Sequence, residues 1–164
     1  MFELLNSQHD RSKFDCGNEM LNNYLKFQAS QDMKRKLAVC FVYLEANKKK
    51  IIGYYTLSNT SIPLDFFSDS IKKKLPSSYL SIPTTLLGRL AIDKNCQGKG
   101  EGEKVLIHAL NKCYETSQQI ASFAVVVDPI DLNAEIFYQK YDYIKLPESQ
   151  KMFLPMKTLS ELIK

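Results

Sequence analysis

The chain has 164 residues, 45% of them hydrophobic, and a formal charge of +4 from 22 Lys and Arg against 18 Asp and Glu. That composition excludes a disordered or fibrous chain, and this length buries roughly two thirds of its unfolded surface without staples, so one domain over 1–164 is expected. The mild basic excess suits a polyanion without naming one.

Cys16, Cys40, Cys96 and Cys113 are scattered, form no C-x-x-C pair, and have only His9 and His108 to assist them. No metal centre is expected, and isolated cysteines point to a reducing compartment. The opening MFELLNSQHD has neither a basic nor an apolar leader region, and the longest apolar stretch, 121–127, is too short to span a bilayer. The expectation is a cytoplasmic protein with no membrane association.

In chain order, 14–36 has helical spacing, with Leu21, Tyr24, Leu25 and Gln28 at i, i+3, i+4, i+7 and Asn18 as N-cap. Lys34, Arg35 and Lys36 suit its negative C-terminal end, which competes with a polyanion contact. LAVCFVYLE (37–45) and IIGYYTLSN (51–59) read as a hairpin around the polar turn ANKKK. Residues 65–75 read as a short helix, with Lys72, Lys73 and Lys74 on a solvated face.

TLLGRLAID (85–93) is a strand that runs into QGKGEG, and EGEKVLIHALNKCYETSQQI is an amphipathic helix on Leu106, Ala109, Leu110 and Cys113. SFAVVVD (122–128) is an unbroken apolar run, as in a strand buried on both faces. DLNAEIFYQKY (131–141) is a helix capped by Asp131, and YIKL and MFLPMKTL supply one or two last strands. Helices and strands mixed around one sheet make the fold class α/β (α+β).

The glycine comb Gly98, Gly100, Gly102 sits where a strand gives way to a helix. Glycines permit φ > 0 and a close ligand approach, and a helix N-terminus adds free N–H groups and partial positive charge. The product is an anion nest suited to a phosphate or pyrophosphate. A Walker A loop fails, because Glu103 and Lys104 follow Gly102, and the G-x-G-x-x-G dinucleotide spacing is also absent. The pattern Q/R-x-x-G-x-G/A is met by Gln97, Gly100 and Gly102, and taken alone it is also compatible with an ordinary glycine-rich turn.

Q-x-x-G-x-G between a strand ending LAID and an amphipathic helix, followed by a buried strand and AEIFY, resembles the GNAT family of acyl-CoA-dependent N-acetyltransferases. The resemblance implies a GNAT fold: a mixed, mostly antiparallel central sheet, splayed in the middle and flanked by helices. It implies acetyl-CoA as cofactor. Its phosphates would lie on Gln97, Gly98, Lys99, Gly100, Glu101 and Gly102, and its pantetheine along Leu90, Ala91 and Ile92. Ala134 and Phe137 would lie beside that arm.

FDCGNEMLNNYLKFQASQD, IIGYYTLSN, LGRLAID, AVVVD, FY and FLPMKTL together resemble the GNAT-type toxins of bacterial toxin–antitoxin pairs over nearly the whole chain. Such toxins acetylate the α-amine of aminoacyl-tRNA. A ribbon-helix-helix antitoxin and a homodimer are the partners this resemblance suggests. One departure is Asp142, where the family often has glycine; an Asp can take the left-handed turn.

Acetyl transfer needs a neutral amine, an oxyanion donor and a proton for the leaving thiolate. An α-amine titrates near ~7.7–8.0 against ~10.4 for lysine, so it needs less help from a base, and no carboxylate or His stands out as one. Tyr138 is the catalytic candidate as general acid. Its spacing alone fits an aromatic core residue equally well, and the matching toxin tyrosine has the acid role. The resemblance places the oxyanion donor at the backbone N–H of Ala91 or Ile92, where family strands bulge. Arg89, and secondarily Lys34, Arg35 and Lys36, are candidates for RNA contact. Two other readings are a GNAT enzyme for a small-molecule amine or protein N-terminus, and a non-catalytic CoA-binding module.

Overall fold

The computed structural model describes residues 1–47 and 50–164. The part of the ANKKK turn that falls on Lys48 and Lys49 lies outside the described residues. Seven strands hydrogen-bond in the order β1-β2-β3-β4-β5-β7-β6. They are β1 Phe2–Leu4, β2 Val39–Leu44, β3 Ile51–Pro63, β4 Ser81–Ile92, β5 Ala124–Val127, β6 Ile144–Lys145 and β7 Met152–Pro155. β1–β2, β2–β3, β5–β7 and β6–β7 are antiparallel, whereas β4 and β5 run parallel over two rungs, Thr85 with Val125 and Leu86 with Val126. The result is the α/β class expected, a mixed and mostly antiparallel sheet with helices.

The chain forms two compact units: 1–58 with 87–109, and 59–86 with 110–164. The first holds α1 Glu19–Asn23, a π-helical turn Tyr24–Gln28 and α2 Ala29–Lys34. Its core joins Leu21, Leu25 and Ala29 to Cys40, Val42 and Tyr54 of the hairpin. Asn18 caps α1 by accepting from the Leu21 N–H at 3.1 Å, as expected. FDCGN, in contrast, is not helical. Asp15 and Gly17 turn the chain there, with Gly17 at φ +85°, and the helix starts at Glu19, directly after the expected cap. The expected core position Gln28 is exposed and Ala29 is buried in its place, because a π turn takes an extra residue.

In the second unit, Ile62, Phe67, Ile82, Val126 and Phe153 form the core. β5 is buried along its length, as its unbroken apolar run implies. The 65–75 helix shrinks to a 3-10 turn, Leu64–Phe66, and a single helical turn, α3 Asp69–Lys72. Asp131 caps α5 Leu132–Gln139, accepting from the Ala134 N–H at 2.8 Å. α6 Met156–Leu162 follows β7; MFLPMKTL had suggested strand alone. The long helix α4, Glu101–Ser117, buries Leu106, Ala109, Leu110 and Cys113, the face expected of it.

Candidate functional site

β4 ends in an exposed loop, 94–100, that enters α4. Gly98 and Gly100 take φ +73° and +80°, and nothing lies within 4 Å of where a Cβ would stand on either. Gly102 is already helical. From Gly98 onward, the first backbone donor with a partner among the described residues is Lys104, whose N–H reaches the Gly100 carbonyl at 3.3 Å. The N–H groups from Gly98 to Glu103 have no partner among the described residues. Open space, left-handed glycines and a run of unpartnered donors at a helix start are the geometry of an anion nest. These residues fit a pyrophosphate.

Side chains brace this loop from behind. Gln97 Nε2 donates to the Ile92 carbonyl at 2.8 Å and to the Cys16 carbonyl at 2.9 Å. Lys99 Nζ donates to the Asn95 carbonyl at 2.9 Å. Glu101 pairs with Lys104 at 3.0 Å across the first turn of α4. Of the residues expected to hold phosphate, Gln97 and Lys99 therefore direct their polar ends into the loop itself, and the glycines and their backbone face outward.

A second brace was not anticipated. Asp93 is buried and accepts from the Asn95 N–H at 3.0 Å and the Asp15 N–H at 3.3 Å. Lys94 N–H reaches the Asp15 carbonyl at 2.8 Å, and Lys94 Nζ pairs with Asp15 Oδ2 at 2.7 Å. Asp15 Oδ1 also takes the Gly17 N–H and the Asn22 amide. These bonds, led by the one from Lys94, hold the Asp15 carboxyl well below its usual range. FDCGN is thus a clamp on the loop that follows β4. The signal was present in the sequence as Asp-x-Gly and Asp-x-Asn turn chemistry, but its partner lay far along the chain.

Along β4, buried positions fall on Ile82 and Thr84, then on Leu87 and Ala91. Leu90 is half-buried, and Ala91 and Ile92 are both buried. Opposite them, a Cβ on Gly53 would stand 2.8 Å from the Ala91 carbonyl oxygen, so only glycine lets β3 come this close.

Among the described residues, Arg89 meets no carboxylate. Its Cζ lies 3.5 Å from the centroid of the Tyr24 ring. Lys34, Arg35 and Lys36 are all exposed. Lys36 sits at φ 61°, with its N–H on the Met33 carbonyl and the Leu37 N–H on the Asp32 carbonyl. This is a Schellman stop with lysine in the left-handed place.

In the second unit, Tyr138 on α5 is 7% exposed and stands beside the half-buried Ala134 and Phe137. Its ring packs edge-on to Phe137 at 5.3 Å and against Tyr143 at 5.2 Å. Burial pushes its phenol well above the ordinary tyrosine value, so the hydroxyl stays protonated. Asp142 takes φ 65°, the left-handed turn expected of it. The Tyr143 N–H then reaches the Tyr138 carbonyl at 3.4 Å, and the Asp142 N–H that of Gln139 at 3.3 Å. Tyr143 is sealed, and its hydroxyl has no hydrogen-bond partner among the described residues.

The sequence profile of the "Acetyltransferase (GNAT) domain" matches residues 13–158. A tRNA-acetylating toxin of Mycobacterium tuberculosis (strain ATCC 25618 / H37Rv) is 27% identical over 155 residues, covering 94% of this chain and 90% of that protein. AtaT complexed with acetyl-methionyl-tRNAfMet superposes with a TM-score of 0.91 at 29% identity, over 100% of this chain and 99% of that one. AtaTR bound with AcCoA gives 0.85 at 29% identity, over 100% and 98%. Among the described residues, no helix is long and apolar enough to cross a membrane.

Proposed function

This chain belongs to the GNAT acetyltransferase family and is an acetyl-CoA-dependent N-acetyltransferase, and from that premise we propose that its acceptor is the α-amine of aminoacyl-tRNA. The observation that carries the reading is the run of unpartnered N–H groups from Gly98 to Glu103 in an open loop, which suits the diphosphate of coenzyme A. The likeness to a tRNA-acetylating toxin and to AtaT supports the acceptor.

In this proposal acetyl-CoA supplies the acetyl group as a thioester. Gly98, Gly100 and Gly102 offer their amides to its phosphates, and Gln97, Lys99 and Glu101 keep the loop in shape. Leu90, Ala91 and Ile92 offer backbone groups to the pantetheine. Ala134 and Phe137 give α5 an apolar side for the same arm. Tyr138 Oη gives its proton to the departing sulfur. A phenol raised by burial keeps its proton at neutral pH, so its O–H would be available to the sulfur where charge develops. The acceptor amine, near ~7.7–8.0 and lower once esterified, loses its proton to water without a dedicated base. Arg89, with Lys34, Arg35 and Lys36, meets RNA phosphates.

The reading places the enzyme in the cytoplasm, where charged tRNA is found, and makes it a toxin restrained by an antitoxin of ribbon-helix-helix type. Incubation with labelled acetyl-CoA and a mixed pool of charged tRNAs tests it. Label must appear on charged tRNA and be absent from deacylated tRNA. Label on free amines or peptides, with none on charged tRNA, would move the chain to a different acceptor class.

A further inference from the structure

The first unit holds a second polar cluster, away from the glycine loop. Tyr24 opens the π-helical turn and is buried, and its hydroxyl donates to Asp32 Oδ2 at 3.0 Å. Gln28 Nε2 reaches the same oxygen at 3.4 Å. Asp32 is itself only 8% exposed. Burial and the bond to Asp32 push the Tyr24 phenol up, so it remains a donor. On the face of this fixed ring lies Arg89, which forms no ion pair and donates no hydrogen bond among the described residues.

Packing alone does not account for this arrangement. A phenylalanine would give Arg89 a similar surface to lie on, with no need to bury a carboxylate behind it. Taking Asp32 out of water costs free energy that its bonds from Tyr24 and Gln28 offset. What the bond does is fix the ring, and the ring fixes the guanidinium plane. A guanidinium held by its face keeps its edge donors in a fork that matches a phosphate.

We propose that Tyr24, locked by Asp32, is a positioning residue that presents the edge of Arg89 to a phosphodiester of the RNA substrate. This rests on the aminoacyl-tRNA reading, which named Arg89 but assigned no role to Tyr24 or Asp32.

The test is direct binding of a fluorescent, uncharged acceptor-stem RNA to the full chain, by anisotropy across a salt series. Arg89→Gln should weaken binding about tenfold and lower the slope of log affinity against log salt by about 1. Arg89→Lys should recover only part of the loss, since an ammonium has no planar fork. Tyr24→Leu should reproduce most of the Arg89→Gln defect, and the double variant should be no worse than Arg89→Gln alone. KM for acetyl-CoA should stay unchanged throughout. Should Tyr24→Leu fail to fold, Tyr24→Phe carries the test, with binding about threefold weaker and an altered salt slope.

Wild-type affinity and slope in folded Arg89→Gln, or in folded Tyr24→Phe and Tyr24→Leu, would overturn the proposal. So would additive losses in the double variant. RNA binding that follows these expectations, in a protein that fails to acetylate charged tRNA, would sink the acceptor reading and leave this one standing. No RNA binding by the wild-type chain would end both.

Discussion

The ends of α2 and α5 use one device for two purposes. Each helix stops in a Schellman turn with a side chain where glycine is usual, Lys36 at φ 61° and Asp142 at φ 65°. The residue five before the closing N–H is Asp32 in one case and Tyr138 in the other. At α5 the closing residue, Tyr143, is buried and packs on Tyr138, the apolar seal the motif favours. At α2 the closing residue, Leu37, is 61% exposed, and Asp32 turns inward to Tyr24 instead. The stop fixes the backbone in both. What it then presents depends on the side chain: a sealed phenol that keeps its proton at α5, and an open basic end at α2. The proposed acid role of Tyr138 and the proposed RNA contact of the basic end call for those two environments.

The largest effect should come from removing the phenol of the sealed end. Tyr138→Phe should lower kcat on the order of 10²–10⁴-fold, with KM for acetyl-CoA and melting temperature unchanged. The wild-type pH–rate profile sharpens the same point. Activity should rise as the amine loses its proton near ~7.7–8.0 or below, then stay level to about pH 10, because a phenol raised by burial remains an acid there. A falling limb between pH 8 and 9 would contradict it.

Next comes the loop that neither helix stop supports. Gly100→Val puts a β-branched residue at φ +80°, a strain of ~1–2 kcal/mol, and sets a side chain over the N–H run. KM for acetyl-CoA should rise about tenfold or more for that loss, with kcat nearly intact. Gly53→Ala acts on stability instead: with the Ala91 carbonyl 2.8 Å from the new Cβ, unfolding in urea should show a loss of ~1–3 kcal/mol.

The smallest effects compare the two stops directly. Lys36→Gly should stabilise the fold by ~0.5–1 kcal/mol and Asp142→Gly by less, since Asp tolerates the left-handed region better. Tyr143→Phe removes a hydroxyl that has no partner among the described residues, so melting temperature should hold or rise, and activity should survive. A Tyr143→Phe variant as inactive as Tyr138→Phe would break the distinction between the two phenols.

Much of the frame was legible because it is local. Asn18 and Asp131 cap by sequence rule, β5 declares itself by four consecutive apolar residues, and the glycine loop sits between a strand and an amphipathic helix. What escaped is non-local. The clamp of Asp15 on Lys94 joins residues far apart in the chain, and each looks like an ordinary surface charge by itself. The buried Asp32 was hidden by its polar type, and Gln28 gave way to Ala29 because a π turn leaves no mark in a 3.6-residue pattern. β1, of three residues, is too short for periodicity to register, whereas β6 falls within YIKL, which was read as a strand.

The most direct measurement is amide hydrogen exchange over Gly98 to Glu103 during titration with acetyl-CoA. Those amides should slow markedly on binding, while the Asp93 and Asp15 clamp, already bonded, changes little. Heat of binding with no protection at those six backbone positions would place the phosphates elsewhere and contradict the account.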